Sequence, residues 1–303
     1  MAGPLRVVIV HWNQAAACAE TVARFRKGAL DVCVTVVDNG SEPAQLTELR
    51  RALSVTDGVE LVELGENRGF GPGANAGLRR FLERPDDGEW VALAPHDVEP
   101  DPDCLPAMLA AASAEPMAGL LCADVGDGMS PVIDPYFGGM VVPAQELPAP
   151  LPRWEDVDYP HGTLMLLRRQ LLEEVGAFDE RYFSYCEEAD LALRARRAGW
   201  RIGLVRGARV RNVHLGSSVA LVDYLQTRNT LLLVQEMSGW YHATIRALIT
   251  LLQVASGLRR PDRRPPVFDA RARMLGLRDF LLRRFGPPPG DLTDPARRST
   301  RSR

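Results

Sequence analysis

Acidic side chains stand at the start of a predicted helix in the second half of the chain. Glu187, Glu188 and Asp190 open the segment Glu187–Ala198, whose apolar residues recur on one face at helical spacing. A carboxylate in this position can remove the proton of a hydroxyl nucleophile, which is the work of a general base. The alternative is that these acids only stabilise the helix, because acidic residues in its first turn interact favourably with the helix dipole.

Two more acidic residues follow predicted strands of the first half. Asp38 comes directly after Val32–Val37, where a carboxylate can accept a hydrogen bond from the imide N–H of uracil or thymine. A common turn built by Asp38 and Asn39 is the alternative. Asp97 follows Trp90–Ala94, and a carboxylate that faces a diphosphate supplies the oxygen ligand that a divalent cation needs. A solvated acidic turn is the alternative there.

A glycine-rich segment lies between these two acidic positions. From Asn67 to Gly77 the chain has four glycines and two asparagines within eleven residues. The backbone of such glycines can approach a ligand, and the N–H groups that open the next helix can bind phosphate. Arg68 adds a positive charge, but the spacing is not that of a Walker loop. His214, which follows a predicted strand, is a candidate for contact with a metal or phosphate, although a lone histidine is usually structural.

The elements that must position these residues alternate between strand and helix. The predicted strands are Leu5–Val10, Val32–Val37, Val59–Leu64 and Trp90–Ala94, and the predicted helices between them are Ala15–Gly28, Pro43–Ser54 and Gly73–Glu83. This order predicts βαβ units and a parallel sheet covered by helices on both faces. Ligands bind such sheets at the carboxyl ends of the strands, where Asp38, Asn67 and Asp97 stand.

The second half is less regular. We expect Pro143–Pro160 to form a surface loop, and the pattern is helical from Val219 to Leu258. Shorter predicted elements are the strands Gly162–Arg168, Arg201–Val205 and Arg209–Val213 and the helix Arg169–Val175. The predicted regions are a catalytic domain at 1–218, a helical C-terminal section at 219–290 and a disordered tail at 291–303.

Two interpretations remain for the apolar stretches Ala243–Leu258 and Met274–Phe285, which lie in an arginine-rich part of the chain. One is docking on an anionic membrane surface. The other, which we prefer, is a pair of surface helices packed on the core.

Composition excludes several classes of function. A net charge of −3 over 303 residues gives no support for a nucleic-acid-binding protein. Five scattered cysteines without a CxxC pair argue against a disulfide framework and a zinc site, and they favour a reducing cytoplasm. The sequence contains no run of eighteen apolar residues, so it predicts no membrane span. Residues 1–13 predict a strand rather than a signal peptide.

The chain resembles the inverting family-2 glycosyltransferases of the GT-A fold, especially their bacterial rhamnosyltransferase-like branch. The motifs that carry the resemblance are VVIVHWN, VVDNGS, NRGFGPGANAGL, PHDVEPD, GTLMLLRR, GAFDERYFSYCEEADLALRARRAGW and VHLGSS, between Leu5 and Ser218. The resemblance implies an α/β GT-A domain with a mostly parallel central sheet, followed by a helical section. It also implies inverting transfer from a dTDP- or UDP-sugar, dTDP-rhamnose being one candidate. The acceptor would be a hydroxyl of a cell-envelope glycan, a lipid-linked glycan or a natural product.

The resemblance further implies roles for individual residues. Asp38 would bind the pyrimidine base, with Asn13 and Asn39 on that side, and Glu188 would be the general base. Asn67, Gly69 and Asn75 would lie under the ribose and diphosphate. The other candidate donor-binding residues are Arg68, Gly71 and His96. Asp97 and His214 would hold Mg²⁺ or Mn²⁺.

Two positions depart from the family pattern. Pro95-His96-Asp97 stands where the family has DxD or Asn-x-Asp, so one carboxylate remains for the metal. The metal is then bound with help from His96 or His214, or dispensed with. Glu188 stands where the family has Asp, and its extra methylene displaces the carboxylate, which leaves Asp190 and Glu187 as alternative bases.

These departures keep a second function open, that of a nucleotide-sugar-binding partner protein without transferase activity. A nucleotidyltransferase is disfavoured, because no Gly-rich loop with a lysine follows the first strand. We expect a cytoplasmic protein. Peripheral contact with the inner face of the membrane and assembly as a homodimer are left open.

Overall fold

The structure is a computed structural model of the chain and describes residues 4–145, 150–213 and 218–293. The chain forms two compact units. The sheet unit comprises Met1–Val132, Val141–Asp179 and Glu188–His214, and the helical unit comprises Ile133–Met140, Glu180–Glu187 and Leu215–Arg303. His214 and the predicted tail from residue 294 onward lie outside the described residues.

Most of the strands lie in the sheet unit. In chain order they are β1 (Leu5–His11), β2 (Val32–Asp38), β3 (Val59–Glu63), β4 (Trp90–Pro95), β5 (Val98–Pro100), β6 (Ala118–Asp124), β7 (Met129–Asp134), β8 (Gly138–Pro143), β9 (Arg153–Asp156), β10 (Met165–Arg168) and β11 (Arg201–Asn212). The main sheet has the order β3-β2-β1-β4-β10-β6-β11-β5, with β9 also paired to β11, while β7 and β8 form a separate hairpin.

Helices connect these strands and form the helical unit. They are α1 (Ala15–Lys27), α2 (Pro43–Leu53), α3 (Phe70–Leu82), α4 (Cys104–Ala114), α5 (Arg169–Val175), α6 (Glu187–Arg197), α7 (Val219–Arg259), α8 (Ala270–Leu281) and α9 (Gly290–Thr293). Among residues 4–145, 150–213 and 218–293, no helix is both long and apolar enough to cross a bilayer.

The first half of the sheet has the predicted βαβ architecture. Strands β3, β2, β1 and β4 are mutually parallel, and all seven residues of β1 are buried. Successive side chains of β1 point to opposite faces, so Val7 and Ile9 enter one apolar cluster while Val8 and Val10 enter the other. Burial on both faces explains why Val7–Val10 is an uninterrupted apolar run.

The second half of the sheet is mixed rather than parallel. Strand β10 lies between β4 and β6 and is antiparallel to both, whereas β6 and β11 are parallel. The segments predicted as two strands, Arg201–Val205 and Arg209–Val213, fall in the single strand β11 except for Val213. The register of β11 shifts between Val205 and Arg209. Gly207 adopts a φ of 87° inside this irregularity. Pro143–Pro160, predicted as a loop, contains the short strand β9.

The helical unit is centred on α7 and α8. Helix α7 is interrupted at Gly239, whose φ of 83° and ψ of 178° are not helical. Residues on the first part of α7 are mostly buried, including Arg228 and Asn229 at 0% exposure. A hydrogen-bonded chain satisfies these buried polar groups: Tyr224 donates to Asp279 (2.8 Å) and Arg228 donates to the Tyr224 hydroxyl (3.1 Å).

Candidate active site

The carboxyl ends of β1 and β2 carry a buried histidine–aspartate pair. His11 Nδ1 lies 2.9 Å from Asp38 Oδ1, and their side chains are 0% and 1% exposed. His11 Nε2 accepts a hydrogen bond from the Gln14 amide (3.2 Å), so the ring proton is on Nδ1, which donates to Asp38. Burial opposes ionisation of Asp38, but hydrogen bonds from His11 and Ser41 outweigh it and lower its pKa. Asp38 is therefore an ionised acceptor at neutral pH.

The loops after β1 and β2 are joined to each other. The Asn13 amide donates to Ser41 Oγ (2.9 Å), and Asn13 Oδ1 accepts from the Glu42 amide (2.7 Å). Asn13 itself has a left-handed φ of 54°. Trp12, between His11 and Asn13, is 41% exposed. The strand ends thus present a fixed polar rim beside one accessible aromatic ring.

Asn39 holds the loop before α3. Its Nδ2 donates to the Gly69 carbonyl (2.9 Å) and to Asn67 Oδ1 (3.2 Å), while its Oδ1 accepts from the Arg68 amide (3.0 Å). Gly69, the N-cap of α3, has a φ of 99°, which a side chain would strain. Asn67, Arg68 and Gly69 therefore form a loop at the N-terminus of α3, and hydrogen bonds to Asn39 hold it in place. The Arg68 side chain is half exposed and pairs with Glu66.

The other residues of the glycine-rich segment face the protein interior. A Cβ on Gly77 would lie 2.3 Å from Val8 Cγ1, and one on Gly73 would lie 3.1 Å from Val10 Cγ1. These glycines let α3 pack closely against β1. Gly71 is buried within α3, and the Asn75 amide exchanges two hydrogen bonds with the Phe178 backbone (2.9 and 3.0 Å). Close packing against β1 thus explains Gly73 and Gly77. Contact of Gly71 and Asn75 with a ligand stays a prediction.

His96 and Asp97 occupy the turn between β4 and β5. Asp97 is 8% exposed. His96 Nδ1 donates to the Val10 carbonyl (3.2 Å), and its ring lies edge-on to that of His11, with 5.4 Å between centroids. His96 is therefore attached to the end of β1 as well as to β4.

A metal site must be assembled from few protein ligands. Among the residues that the structure describes, no group of three or more His, Cys, Asp or Glu side chains could hold a metal ion. Asp97 offers a single carboxylate, and His214 is not among those residues. These side chains alone do not fit a complete coordination shell, which for Mg²⁺ takes six oxygens.

The acidic residues at the start of α6 differ in their surroundings. Asp190 is paired with Arg194 one turn later (2.9 Å), which also donates to the Val175 carbonyl (2.7 Å). Glu187 is buried at 4% exposure. Glu188 is half-buried, and its Oε2 is a buried oxygen with no hydrogen-bond partner in the described part of the chain. Burial raises the pKa of Glu188 to about 7, whereas its own backbone N–H lowers it by a smaller amount.

Strand pairing places Glu188 at the same edge of the sheet as Asp97. Strand β10 is antiparallel to β4, with Met165 opposite Leu93, so residues just before β10 lie beside those just after β4. Gly162 is one of them, and a Cβ built on it would lie 3.8 Å from Glu188 Oε1. Glu188 and Asp97, which are 91 positions apart in sequence, are therefore both placed near the carboxyl end of β4.

An unusual turn leads into α6. Tyr185 and Cys186 are consecutive non-glycine residues with left-handed φ values of 69° and 72°. Asn229 donates from Nδ2 to the carbonyls of Ser184 (2.8 Å) and Tyr185 (2.9 Å), and its Oδ1 accepts from Arg228 Nε (3.1 Å). Two strained residues persist only where their surroundings hold them. Sequence reasoning did not assign this function to Asn229, which is distant in sequence from the turn, nor did it identify Gly162.

Comparison with known proteins identifies the family. The sequence profile for Glycosyl transferase family 2 matches residues 6–176, and that for Glycosyltransferase like family 2 matches residues 151–231. The chain belongs to glycosyl transferase family 2.

One relative of this family-2 glycosyltransferase is a rhamnosyltransferase. The chain is 30% identical over 272 residues to N-acetylglucosaminyl-diphospho-decaprenol L-rhamnosyltransferase of Mycobacterium tuberculosis, an alignment that covers 77% of this chain and 87% of the relative. The predicted membership of a rhamnosyltransferase-like branch is confirmed.

Solved structures confirm the GT-A fold of this glycosyltransferase. A mannosyltransferase from Pyrobaculum calidifontis, in complex with GDP-Man and Mn²⁺, aligns with a TM-score of 0.57 and 15% identity over 93% of this chain and 86% of its own. GalNAc-T7 with UDP, GalNAc and Mn²⁺ aligns with a TM-score of 0.61 and 14% identity over 92% of this chain and 56% of its own. At these identities the likeness concerns the fold alone.

Proposed function

We propose that this glycosyltransferase transfers a sugar, with inversion, from a nucleotide-diphosphate donor to an acceptor hydroxyl, with Glu188 as the general base. The observation that carries the proposal is the Glu188 carboxyl. One of its oxygens is buried without a hydrogen-bond partner, and its pKa is about 7. A carboxyl group whose pKa lies near neutral pH is partly ionised there, and its carboxylate form accepts a proton readily.

The reaction follows from that assignment. Glu188 accepts the proton of the acceptor hydroxyl as its oxygen forms a bond to the anomeric carbon. The bond between that carbon and the diphosphate oxygen breaks at the same time, and the nucleoside diphosphate leaves with the electron pair. Attack from the side opposite the leaving group inverts the anomeric centre. Asp190 is a poorer base because Arg194 stabilises its charge, and Glu187 remains the alternative.

The donor would bind along the ends of β1, β2 and β4. Asp38 is an ionised acceptor for the imide N–H of uracil or thymine, through lone pairs that His11 and Ser41 leave available. Trp12 offers an exposed ring for stacking on the base. The loop at Asn67–Gly69 and the first N–H groups of α3 would face the diphosphate, where the helix dipole favours negative charge.

A divalent cation would enter this site with the donor. Asp97 supplies one oxygen ligand, and diphosphate oxygens and water would supply the others. When bound, the ion would neutralise charge on the leaving diphosphate. Support comes from two structural neighbours that contain Mn²⁺. The choice between Mg²⁺ and Mn²⁺, and any contact from His214 or His96, are part of the proposal.

For the sugar and acceptor, the relative named above gives the first candidates. We propose L-rhamnose from dTDP-rhamnose as donor and a polyprenyl-diphosphate-linked N-acetylglucosamine as acceptor, because 30% identity extends over 77% of the chain. Binding is tested first, by calorimetric titration of the protein with dTDP and UDP, each with and without Mn²⁺. Binding that tightens with Mn²⁺ supports a cation at Asp97. Equal binding without it means that cationic side chains neutralise the diphosphate.

Transfer is tested with the candidate donor and acceptor, and the anomeric configuration of the product is read by NMR. We expect kcat/KM to rise with pH with a midpoint of about 7, because Glu188 must be deprotonated. Glu188→Gln should lower kcat by roughly 10²–10⁴-fold and leave dTDP binding within a factor of two. Asp190→Asn is the matched control and should retain the pH midpoint. Full activity of Glu188→Gln would refute the assignment of the base.

A second function is kept because of the Pro95-His96-Asp97 sequence, which leaves one carboxylate at the DxD position. It is binding of a nucleotide sugar without transfer. Tight binding of dTDP or UDP together with no turnover across a broad panel of acceptors would favour it over the transferase.

A further inference from the structure

The second part of helix α7 exposes an apolar face to solvent. From Tyr241 to Leu258, about 27 Å of helix, the only charged residue is Arg246, whose Nε and Nη1 atoms are buried. The exposed side chains of this stretch are those of Tyr241, Thr244, Leu248, Leu251, Leu252, Gln253, Ser256 and Leu258. Leu248 is 55% exposed and Leu252 is 69% exposed. A helix on the surface of a globular protein normally presents charged residues to water, so an apolar face of this kind marks an interaction surface.

The opposite side of the same stretch is fixed in the helical unit. Ala243, Thr250, Val254 and Gly257 are buried at helical spacing. Gly257 meets the ring of Phe268 so closely that a Cβ would lie 2.4 Å from it. Helix α7 therefore cannot rotate to hide Leu248 and Leu252 without losing this packing.

Positive charge is concentrated where the apolar stretch ends. Arg259, Arg260, Arg263 and Arg264 are all exposed, and Asp262 is the single acid among residues 259–264. At the other end of the stretch, Trp240 and Tyr241 are 56% and 69% exposed. Aromatic rings of this kind favour the boundary between lipid chains and water, and arginines favour anionic head groups.

We propose that the apolar-basic face, formed by the exposed side chains of residues 240–264, docks on the surface of an anionic lipid bilayer. The helix would lie in the plane of the interface with Leu248 and Leu252 among the outer acyl chains and the arginines on phosphate groups. Charge favours lipid over a second copy of the chain. Asp262 is the single acid among residues 240–264, so the same face of another copy offers the four exposed arginines one acidic counterpart.

The test is flotation of the full-length protein with vesicles. Vesicles of phosphatidylcholine with about 30% phosphatidylglycerol are compared with pure phosphatidylcholine in about 0.1 M salt. We expect binding to the anionic vesicles and release in about 1 M salt. Leu248→Gln with Leu252→Gln should weaken binding at least tenfold, and Arg259→Gln with Arg260→Gln about fivefold per arginine. Val55→Gln, an 86% exposed apolar residue of the sheet unit, is the matched control and should bind unchanged.

No binding by the wild type, or equal binding by both double variants, would overturn the proposal. A wild-type dimer that becomes a monomer in the leucine variant, without vesicle binding, would assign the face to a second copy instead. Circular dichroism checks that each variant is folded. If the leucine variant has lost helix, vesicle binding by the Arg259→Gln, Arg260→Gln variant is the deciding measurement. The assay uses neither donor nor acceptor, so its result is independent of the proposed transferase function.

Discussion

At the scale of single residues, the surroundings of Glu188 decide its chemistry. Asp190, two positions along α6, has its carboxylate stabilised by Arg194. Glu188 has a buried oxygen without a partner, and burial raises its pKa to about 7. The two neighbouring acids on one helix thus differ in their surroundings: burial raises the pKa of Glu188, whereas a cation lies beside Asp190.

The raised pKa of Glu188 has a consequence for stability. The unfolded chain loses this proton near pH 4.5 and the folded chain near pH 7, so Glu188 lowers the free energy of unfolding as pH rises through this window. Glu188→Gln removes the buried charge. We expect the variant to be more stable than the wild type by roughly 2 kcal/mol at pH 8, with no gain at pH 4, in denaturant unfolding followed at both pH values. A gain of equal size at both would contradict a buried charge as the cause.

Asn229 is predicted to be a positioning residue. Asn229→Asp keeps the shape of the side chain but replaces the Nδ2 donor, so the carbonyls of Ser184 and Tyr185 lose their hydrogen bonds. We expect the left-handed turn at Tyr185 and Cys186 to relax and the start of α6 to move with it. Steady-state kinetics should show kcat reduced at least tenfold, since displacement of a catalytic group by about 1 Å can cost 10²-fold.

Separate measurement of kcat and KM distinguishes displacement of α6 from general destabilisation of the protein. The KM for donor should stay within a factor of two in Asn229→Asp, because the loops proposed to bind the donor follow β1, β2 and β4 and not the turn before α6. Gln235→Ala, on the same helix and outside the hydrogen bonds to the turn, should leave both constants unchanged. Loss of activity only in proportion to unfolded protein would show that Asn229 is merely structural.

At the scale of elements, α3 shows how a packing requirement can resemble a binding motif. Gly73 and Gly77 are one turn apart on the helix face that meets β1, where a Cβ would contact Val10 or Val8. Closely spaced glycines at a strand–helix connection suggested a phosphate loop, but only Gly69, the N-cap with its positive φ, has the backbone conformation of such a loop.

Close packing at this contact is tested by a double-mutant cycle. Gly77→Ala places a methyl group where only 2.3 Å is available to Val8 Cγ1, and we expect a loss of about 1–3 kcal/mol of stability. Val8→Ala creates a cavity and is itself destabilising. The combination should lose clearly less than the sum of the two, because the methyl group added at position 77 fills the space that the Val8 side chain leaves. Simple additivity in urea unfolding would mean that the two side chains do not meet.

At the scale of the whole molecule, the two proposed ligand surfaces belong to different units. The proposed donor site lies at the strand ends of the sheet unit, and the apolar-basic face belongs to the helical unit. Hydrogen exchange can therefore distinguish them. We expect dTDP to slow exchange in residues 67–75 and anionic vesicles to slow it in 241–258. Protection of both segments by one ligand would show that the proposed surfaces are not separate sites.

The extent of sequence-based prediction can be seen in particular elements. Strands β1, β2 and β4 were predictable because each contains an apolar run that is buried on both faces and is followed by polar residues, such as Asp38 after β2 and His96 after β4. Strand β10 was predicted, but its antiparallel place between β4 and β6 was not, since pairing depends on contacts between distant segments. Strand β9 was missed because its sequence, RWED, has no alternating pattern.

The sequence by itself determined the family, the alternating first half of the sheet and the acidic start of α6, because motif order and hydrophobic period are local properties. Only the tertiary structure decided that Asp190 is paired with Arg194 while Glu188 has a desolvated oxygen, that Asn229 holds the turn before α6, and which face of α7 stays exposed. Those outcomes depend on which side chains meet across distant segments of the sequence. Burial, hydrogen bonding and pKa are set by such neighbours and not by the residue's own type.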